Sequence, residues 1–476
     1  MQRKSTVRLL GIAVVAALAA AACSSGRGST SATTAAPSAT TAAAAASTTS
    51  AAPGVKFGTL DSPCGAGTAK GATEQGVTDT SIHIGYGDDR GFAGSPGLDQ
   101  EMGDAIKAMI KWCNDQGGIL GRQIVGDFYD AAITQTNTVM QQACKSDFML
   151  VGEGWALDEV AEQTRLGCNL VAVPGFAVGP DFANGPEMYQ GVPNPDDYLP
   201  ASIAYEAAQL FPDTVGKLDF LHTTLSATES SIAKAQEAFT AAGFTTLNCG
   251  VKINYGGEPD YKPFAQKFQT CGIKVIFSNL GPGPVLFNWM QAMDQVGVKP
   301  IYLMEANDYS TAMSQWNTSG IGDQTYVREA FQPIEAAATV PAVQTYVDAV
   351  KATGGKANQL GEQSASSFIL WATAAKSCGS TLTRQCMVDY LSKVHDWTGG
   401  GLHASADPGG NLPPKCGIIL KLTGTAWSQF YPKTAGQYDC NDKYLFKISQ
   451  ANWGTTLGSD RIATKFLSAN LIKPSS

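Results

Sequence analysis

Ile82, Ile84 and Tyr86 alternate with His83 and Gly85, a period of two that predicts a strand. Gly87 to Gly97 follows as a loop. Met102, Ala105, Ile106, Met109, Ile110 and Cys113 then recur at i, i+3 and i+4, which predicts a helix with one buried face. Gly117, Gly118 and Gly121 stop it. The rhythm continues with a strand over Ile124 to Tyr129, a helix over Thr136 to Cys144 and a short apolar strand over Phe148 to Val151. A helix near Leu157 to Leu166 and a strand over Leu170 to Val173, ended by Pro174-Gly175, close this block.

A second block restarts at Leu218 to His222, a strand, with a helix over Glu229 to Ala242 capped by Gly243. A strand over Thr245 to Ile253, a short helix over Tyr261 to Phe268 and a strand over Val275 to Phe277 come next. A helix over Val285 to Val296 and a strand over Ile301 to Leu303 complete it. Strands alternating with helices predict an α/β protein with two parallel sheets, each flanked by helices. Right-handed crossovers make each block Rossmann-like. Ligands of such sheets bind beyond the carboxyl ends of the strands, so two facing lobes would enclose a ligand cleft.

The N-terminus changes the picture. Arg3, Lys4 and Arg8 precede an apolar run from Leu9 to Ala22. A basic region, an apolar run and small residues before a cut site make a secretory signal peptide. The run is shorter than the ~20 residues that span a bilayer. Ala20-Ala21-Ala22-Cys23 resembles a bacterial lipobox, with the leucine displaced to Leu18. This assigns residues 1–23 to a lipoprotein signal peptide and Cys23 to the lipid anchor. Residues 24–56 are almost all Ala, Ser, Thr, Gly and Pro, with Arg27 and Lys56 the only charges. Such a tract cannot bury enough apolar surface to offset its ordering entropy, so it reads as a flexible tether. The expected location is the extracytoplasmic face of the cell membrane, held through lipid.

Net charge is −8 and no basic patch is present, which argues against a nucleic-acid partner. Eleven cysteines leave an even ten once Cys23 is lipidated, as suits an oxidising compartment. No spacing matches a zinc site, so no metal is expected. Sequential pairing is expected: Cys64–Cys113, Cys144–Cys168, Cys249–Cys271, Cys378–Cys386 and Cys416–Cys440. For the second and third pairs the reason is that both cysteines fall before or within neighbouring predicted strands.

Gly76-Val77-Thr78-Asp79-Thr80-Ser81-Ile82 leads into the first strand. Asn114-Asp115-Gln116-Gly117-Gly118-Ile119-Leu120-Gly121-Arg122-Gln123-Ile124 joins the first helix to the second strand, and Asp130 follows. Together they resemble the type 1 periplasmic-binding proteins of the branched-chain amino-acid type, the solute receptors of ABC importers. The resemblance implies two lobes joined by three crossings, near Tyr198, Ala330 and Leu420. Lobe 1 would hold residues 57–198 and 331–420, lobe 2 residues 199–330 and 421–450, and 451–476 would form a tail. It further implies a monomer that hinges shut on a small-molecule solute and docks on an importer permease, with no cofactor and no catalysis.

Site residues follow from the strand-end loops of that family: Phe92, Trp155, Ala156, Phe176, Thr223, Asn279, Glu305 and Tyr309. Amino-acid binders of the family present hydroxyls from two of the first-lobe loops. This chain has Trp155-Ala156-Leu157 and Phe176-Ala177-Val178 there instead. The ligand is therefore an amino acid or a more apolar, aromatic or polyol-like molecule whose C–H faces stack on rings. Trp155 and Phe176 also fit a simpler role as plugs of the strand ends, and Thr223 one as a helix cap. A ligand-sensing surface receptor is an alternative on the same scaffold. An exported hydrolase is another, with Ser95 as nucleophile, but Ser95 lies far from the strand and precedes Pro96.

Overall fold

The computed structural model describes residues 55–475. The signal peptide, Cys23 and the tether up to residue 54 lie outside the described residues. The tether's expected last residue, Lys56, instead opens a small antiparallel ribbon with Leu60–Asp61.

Two sheets organise the chain. The first has β1 (Ser81–Asp88), β2 (Gln123–Asp130), β3 (Met149–Val151) and β4 (Ala172–Val173). All four run parallel in the order β2-β1-β3-β4. The second contains β5 (Leu218–Phe220), β6 (Val275–Ser278), β7 (Ile301–Met304) and β8 (Thr325–Glu329), all parallel. Antiparallel β9 (Cys416–Thr423) and β10 (Ala426–Tyr431) extend it beyond β8. Strands buried on both faces read as continuous apolar runs, as expected of parallel sheets. In β6 and β7, Val275, Phe277 and Leu303 enter one core while Ile276, Tyr302 and Met304 enter the opposite one. The fold class is thus the expected α/β pair of Rossmann-like lobes.

Helix α1 (Gln100–Asn114) buries Met102, Ala105, Ile106, Met109 and Cys113, the face its spacing predicts. Asn114 then stands in for a strand neighbour. Its Nδ2 donates to the Ile124 carbonyl and its Oδ1 accepts the Ile124 N–H, both at 2.8 Å. Gly118 has φ 73°, and a Cβ there would lie 2.0 Å from the Arg122 carbonyl oxygen. Arg122, 1% exposed, donates to the carbonyls of Thr78, Gly379 and Gly71. The Asn-to-Arg motif is therefore a structural hub that fastens helix, strand and two distant turns.

Three features depart from expectation. The predicted strand over 245–253 shrinks to Lys252–Ile253, because Asn248 and Gly250 take left-handed backbone at φ 55° and 66°. The third crossing precedes Cys416 and does not lie near Leu420: all of β9 belongs to the second sheet, with Ile418, Leu420 and Leu422 in one core and Ile419 in the other. All five sequential disulfides are present, but the reason differs for the second and third pairs. Cys144 lies within helix α2 (Thr136–Ser146), and Cys271 ends the helix Lys262–Cys271, so these bonds tie helices to loops.

The tail makes a fourth passage between the lobes. Leu445–Lys447 pairs antiparallel with Tyr198–Pro200 at the first crossing. Ser449 and Asn452 then donate to Glu237, on helix α3 (Ser226–Ala241) of lobe 2. From there the chain returns to lobe 1, where Thr455 and Lys465 reach Asp181 and Ile472 donates to Glu187. Arg461 is its grip. The guanidinium forms two bonds to Asp197, at 2.6 and 2.7 Å, and donates to the carbonyls of Gly410 and Asn411. It thereby holds the first and third crossings together. Asp197 is 1% exposed, so Arg461→Ala should strand a buried carboxylate and lower stability by about 2–4 kcal/mol in urea denaturation. Arg461→Lys should recover only part of this, since an ammonium cannot reproduce the fork.

Candidate functional site

The loops that follow the parallel strands of the two sheets carry the residues expected at the site. After β1, Asp88 is fully buried and receives Arg90, whose Nη2 also reaches Asp104 at 3.1 Å. Burial raises the Asp88 pKa and Arg90 opposes the shift. Asp89 accepts the amides of Ile133 and Ala156, at 2.5 and 2.7 Å, so it organises two loops at once.

The structure divides the predicted site residues. Phe92 and Phe176 are half-buried in strand-end loops, and a Cβ on Gly154 would meet Phe176 at 3.7 Å. Trp155 is 1% exposed and packs in a core with Val139, Leu150 and Ala161. Its indole N–H donates to the Tyr129 carbonyl, so the ring plugs the lobe. The Ala156 amide is committed to Asp89. Thr223 is likewise turned away. Its hydroxyl pairs with Thr228 and accepts the Leu225 amide two residues on, a local turn that leads into α3.

Asn279 donates to the Thr228 carbonyl at 3.1 Å while its Oδ1 stays buried and unpartnered. Glu305 pairs with Arg328 at 2.8 Å. Tyr309 is 5% exposed, donates to Glu335 and accepts the Ile334 amide, and stacks edge-on against Trp427. It clasps the second crossing. Of the eight residues, Phe92 and Phe176 lie in loops of lobe 1, and Asn279 and Glu305 in loops of lobe 2.

Helix α4 (Gln359–Cys378) supplies what sequence reasoning missed. Residues 361–372 are all buried, although the stretch contains Glu362, Gln363, Ser364, Ser366 and Ser367. Ser364 donates to the Gly152 carbonyl just past β3, and Ser367 to the Pro174 carbonyl just past β4. Ser366 lies 2.7 Å from His403 Nε2 and accepts from the Trp397 indole. His403 Nδ1 donates to the Ala404 carbonyl, and burial pulls its pKa down to about 4. The Ser366–His403 pair is thus a satisfied tie between α4 and the third crossing. Ser95, by contrast, sits on an exposed loop.

The start of α4 faces the second crossing. Gln359, Glu362 and Gln363 stand at i, i+3 and i+4, one face of the helix, and each has a buried oxygen without a partner. Glu329 at the end of β8, Gln332 just beyond it and Asp308 in the loop after β7 add further unpartnered oxygens. Glu362 and Glu329 feel each other's charge, and Tyr438 feels both. Burial raises the carboxyl pKa of Glu329, Glu362 and Asp308 well above the ordinary range. Lobe 2 touches lobe 1 here, since Thr311 donates to Asn358 at 3.2 Å, just before α4. A sequence signal existed: Gln-x-x-Glu-Gln in an otherwise apolar helix.

The family model described as periplasmic binding protein matches residues 81–425. None of the curated proteins matches the sequence. Among solved structures, the fatty acid ABC transporter substrate-binding protein from Thermomonospora curvata is similar, at 14% identity and TM-score 0.63. That match covers 78% of this chain and 95% of the other. A substrate-binding protein of an ABC transporter from Aeropyrum pernix gives 14% identity and TM-score 0.63, over 79% of this chain and 99% of that one. The branched-chain amino acid transporter substrate binding protein LivJ from Streptococcus pneumoniae, in complex with isoleucine, gives 16% and 0.58. Its match covers 74% of this chain and 100% of LivJ.

Glu362 carries a sign-definite pH effect. Its folded pKa lies above the unfolded value, so the unfolded state loses its proton first as pH rises and stability falls from about pH 4.5 upward. Glu362→Gln removes this penalty. The variant should match the parent near pH 4 and exceed it increasingly as pH rises toward 8, by urea unfolding at each pH.

Proposed function

The chain belongs to the periplasmic binding protein family, and from that premise we propose that it is a lipid-anchored receptor. It captures a small organic solute between its lobes, outside the cytoplasmic membrane, and delivers it to an ABC importer. The observation that carries this reading is the set of buried, unpartnered oxygens where the two sheets' strand ends meet. Nearly all buried polar groups in folded proteins have partners, so a concentration of orphans marks a place where a ligand supplies them. Binding needs no chemistry, only a higher affinity for the closed arrangement than for the open one.

The ligand's character follows from the same groups. With Trp155 turned into the core, the aromatic contribution reduces to Phe92 and Phe176. A fatty acid, as named for the Thermomonospora curvata protein, needs a long apolar channel, whereas the floor here is polar. An amino acid or a polyol-like solute fits the floor better. The anchor is proposed from the lipobox-like end of the signal, and no described helix is long and apolar enough to cross a membrane.

Two measurements test this reading. Full-length protein should fractionate with membranes, and Cys23→Ala should move it into the soluble secreted fraction; membrane retention of the variant would sink the anchor. Native mass spectrometry of the purified protein should reveal a co-purifying small molecule. Adding it back at 100 times its Kd should raise stability by about 2.7 kcal/mol. A protein with no extractable ligand and no thermal response to a broad solute panel would not be a receptor.

A further inference from the structure

We infer that the solute is an organic cation carrying ammonium or guanidinium groups, held by Glu329 and Glu362 where the end of β8 meets the start of α4. This rests on the receptor reading and narrows it. Both carboxylates are fully buried, one from the last residue of β8 and one from the first turn of α4, and all four of their oxygens lack partners. The carbonyl oxygens of Gln332, Gln359 and Gln363 are also unpartnered, and these side chains are 2–7% exposed. The Arg328 Nε–H and the Tyr438 hydroxyl are unpartnered too, so acceptors outnumber donors here, and an ammonium presents three donors without an acceptor.

The surrounding charge has one sign. Glu362 faces Glu329, Glu335 after the second crossing, Tyr309 from the loop after β7, Tyr346 and Tyr438. Glu329 faces Arg328 and Glu305. Tyr346 in turn lies among Glu362, Glu101 and Asp104, which carries the acidic strip toward α1 and Asp99. Tyr255 of lobe 2 stands near Asp99. Two arginines lie along the strip: Arg90 is held by Asp88 and Asp104, and Arg328 pairs with Glu305 through Nη2 while its Nε–H stays unpartnered. A cation that displaces the buried protons leaves two carboxylates to pair with it, whereas a fatty-acid carboxylate gains no such partner. Among the described residues no three His, Cys, Asp or Glu converge as a metal set, which favours hydrogen-bond donors over a bare metal ion.

Calorimetry on the ligand-stripped full chain decides the matter, with 1,4-diaminobutane, agmatine and arginine as cationic probes and leucine and octanoate as controls. At least one cationic probe should bind. Its affinity should fall 100-fold or more in Glu329→Gln and in Glu362→Gln, both of which remain folded by circular dichroism. Binding should release protons at pH 7, measured by repeating the titration in buffers of different ionisation heat, and the double variant should release none. The inference is overturned if no cationic probe binds, or if binding survives both substitutions unchanged. Leucine or octanoate binding that ignores the two glutamates would overturn it while leaving the receptor reading intact. Failure of every probe, together with no co-purified molecule, would remove both.

Discussion

The structure depends on a helix that is buried on every side yet carries polar residues. The first half of α4 lies beneath the ends of β3 and β4, and its serine hydroxyls take the carbonyl oxygens at which those strands stop. A polar group buried without a partner costs several kcal/mol, so each of these bonds has to form for the lobe to close. Ser366 adds a third tie, through His403 to the segment that leads into the third crossing. The same helix thus sets where lobe 1's strands end, where the chain passes between lobes and which face of Glu362 meets lobe 2.

What the sequence made legible was periodic. β1, β2 and α1 fall within one to three residues of their predicted bounds, because a two-residue or 3.6-residue repeat over eight or more positions is hard to mistake. The run over 245–253 failed because its apolar residues flank Asn248 and Gly250, whose left-handed backbone breaks any extended pairing. The third crossing was misplaced because β9 is apolar at three successive positions, Ile418 to Leu420, and nothing in such a run says which sheet it joins. The site was harder still. Trp155 and Thr223 stand at strand ends, as expected, but side-chain direction is set by packing and local turns: one fills a core and the other bonds the turn that leads into α3. The polar face of α4 lies more than 180 residues from the loops of the first block, a juxtaposition that only folding reveals.

The disulfides fit this division of labour. Cys64–Cys113 pins the chain's first described residues to α1, and Cys249–Cys271 fastens a loop of lobe 2 to a helix end. Each restrains motion within a lobe. None joins the strand-end loops of one lobe to those of the other, so the crossings, the tail and noncovalent contacts alone govern how the lobes meet.

The tail's return to lobe 1 also fixes an order of assembly. Both ends of the described chain belong to that lobe: Phe57 is in its core, and Ser475 donates to Asp389. Lobe 2 is therefore an insertion whose sheet strands β5 to β8 follow one another closely in sequence. Lobe 1 instead needs contacts such as Asn169 to the Asn470 carbonyl, 301 residues apart. Closing loops of that length is slow, because chain entropy is lost before the contacts form. The lobe whose strands are synthesised first is thus completed last, by the contacts of the tail.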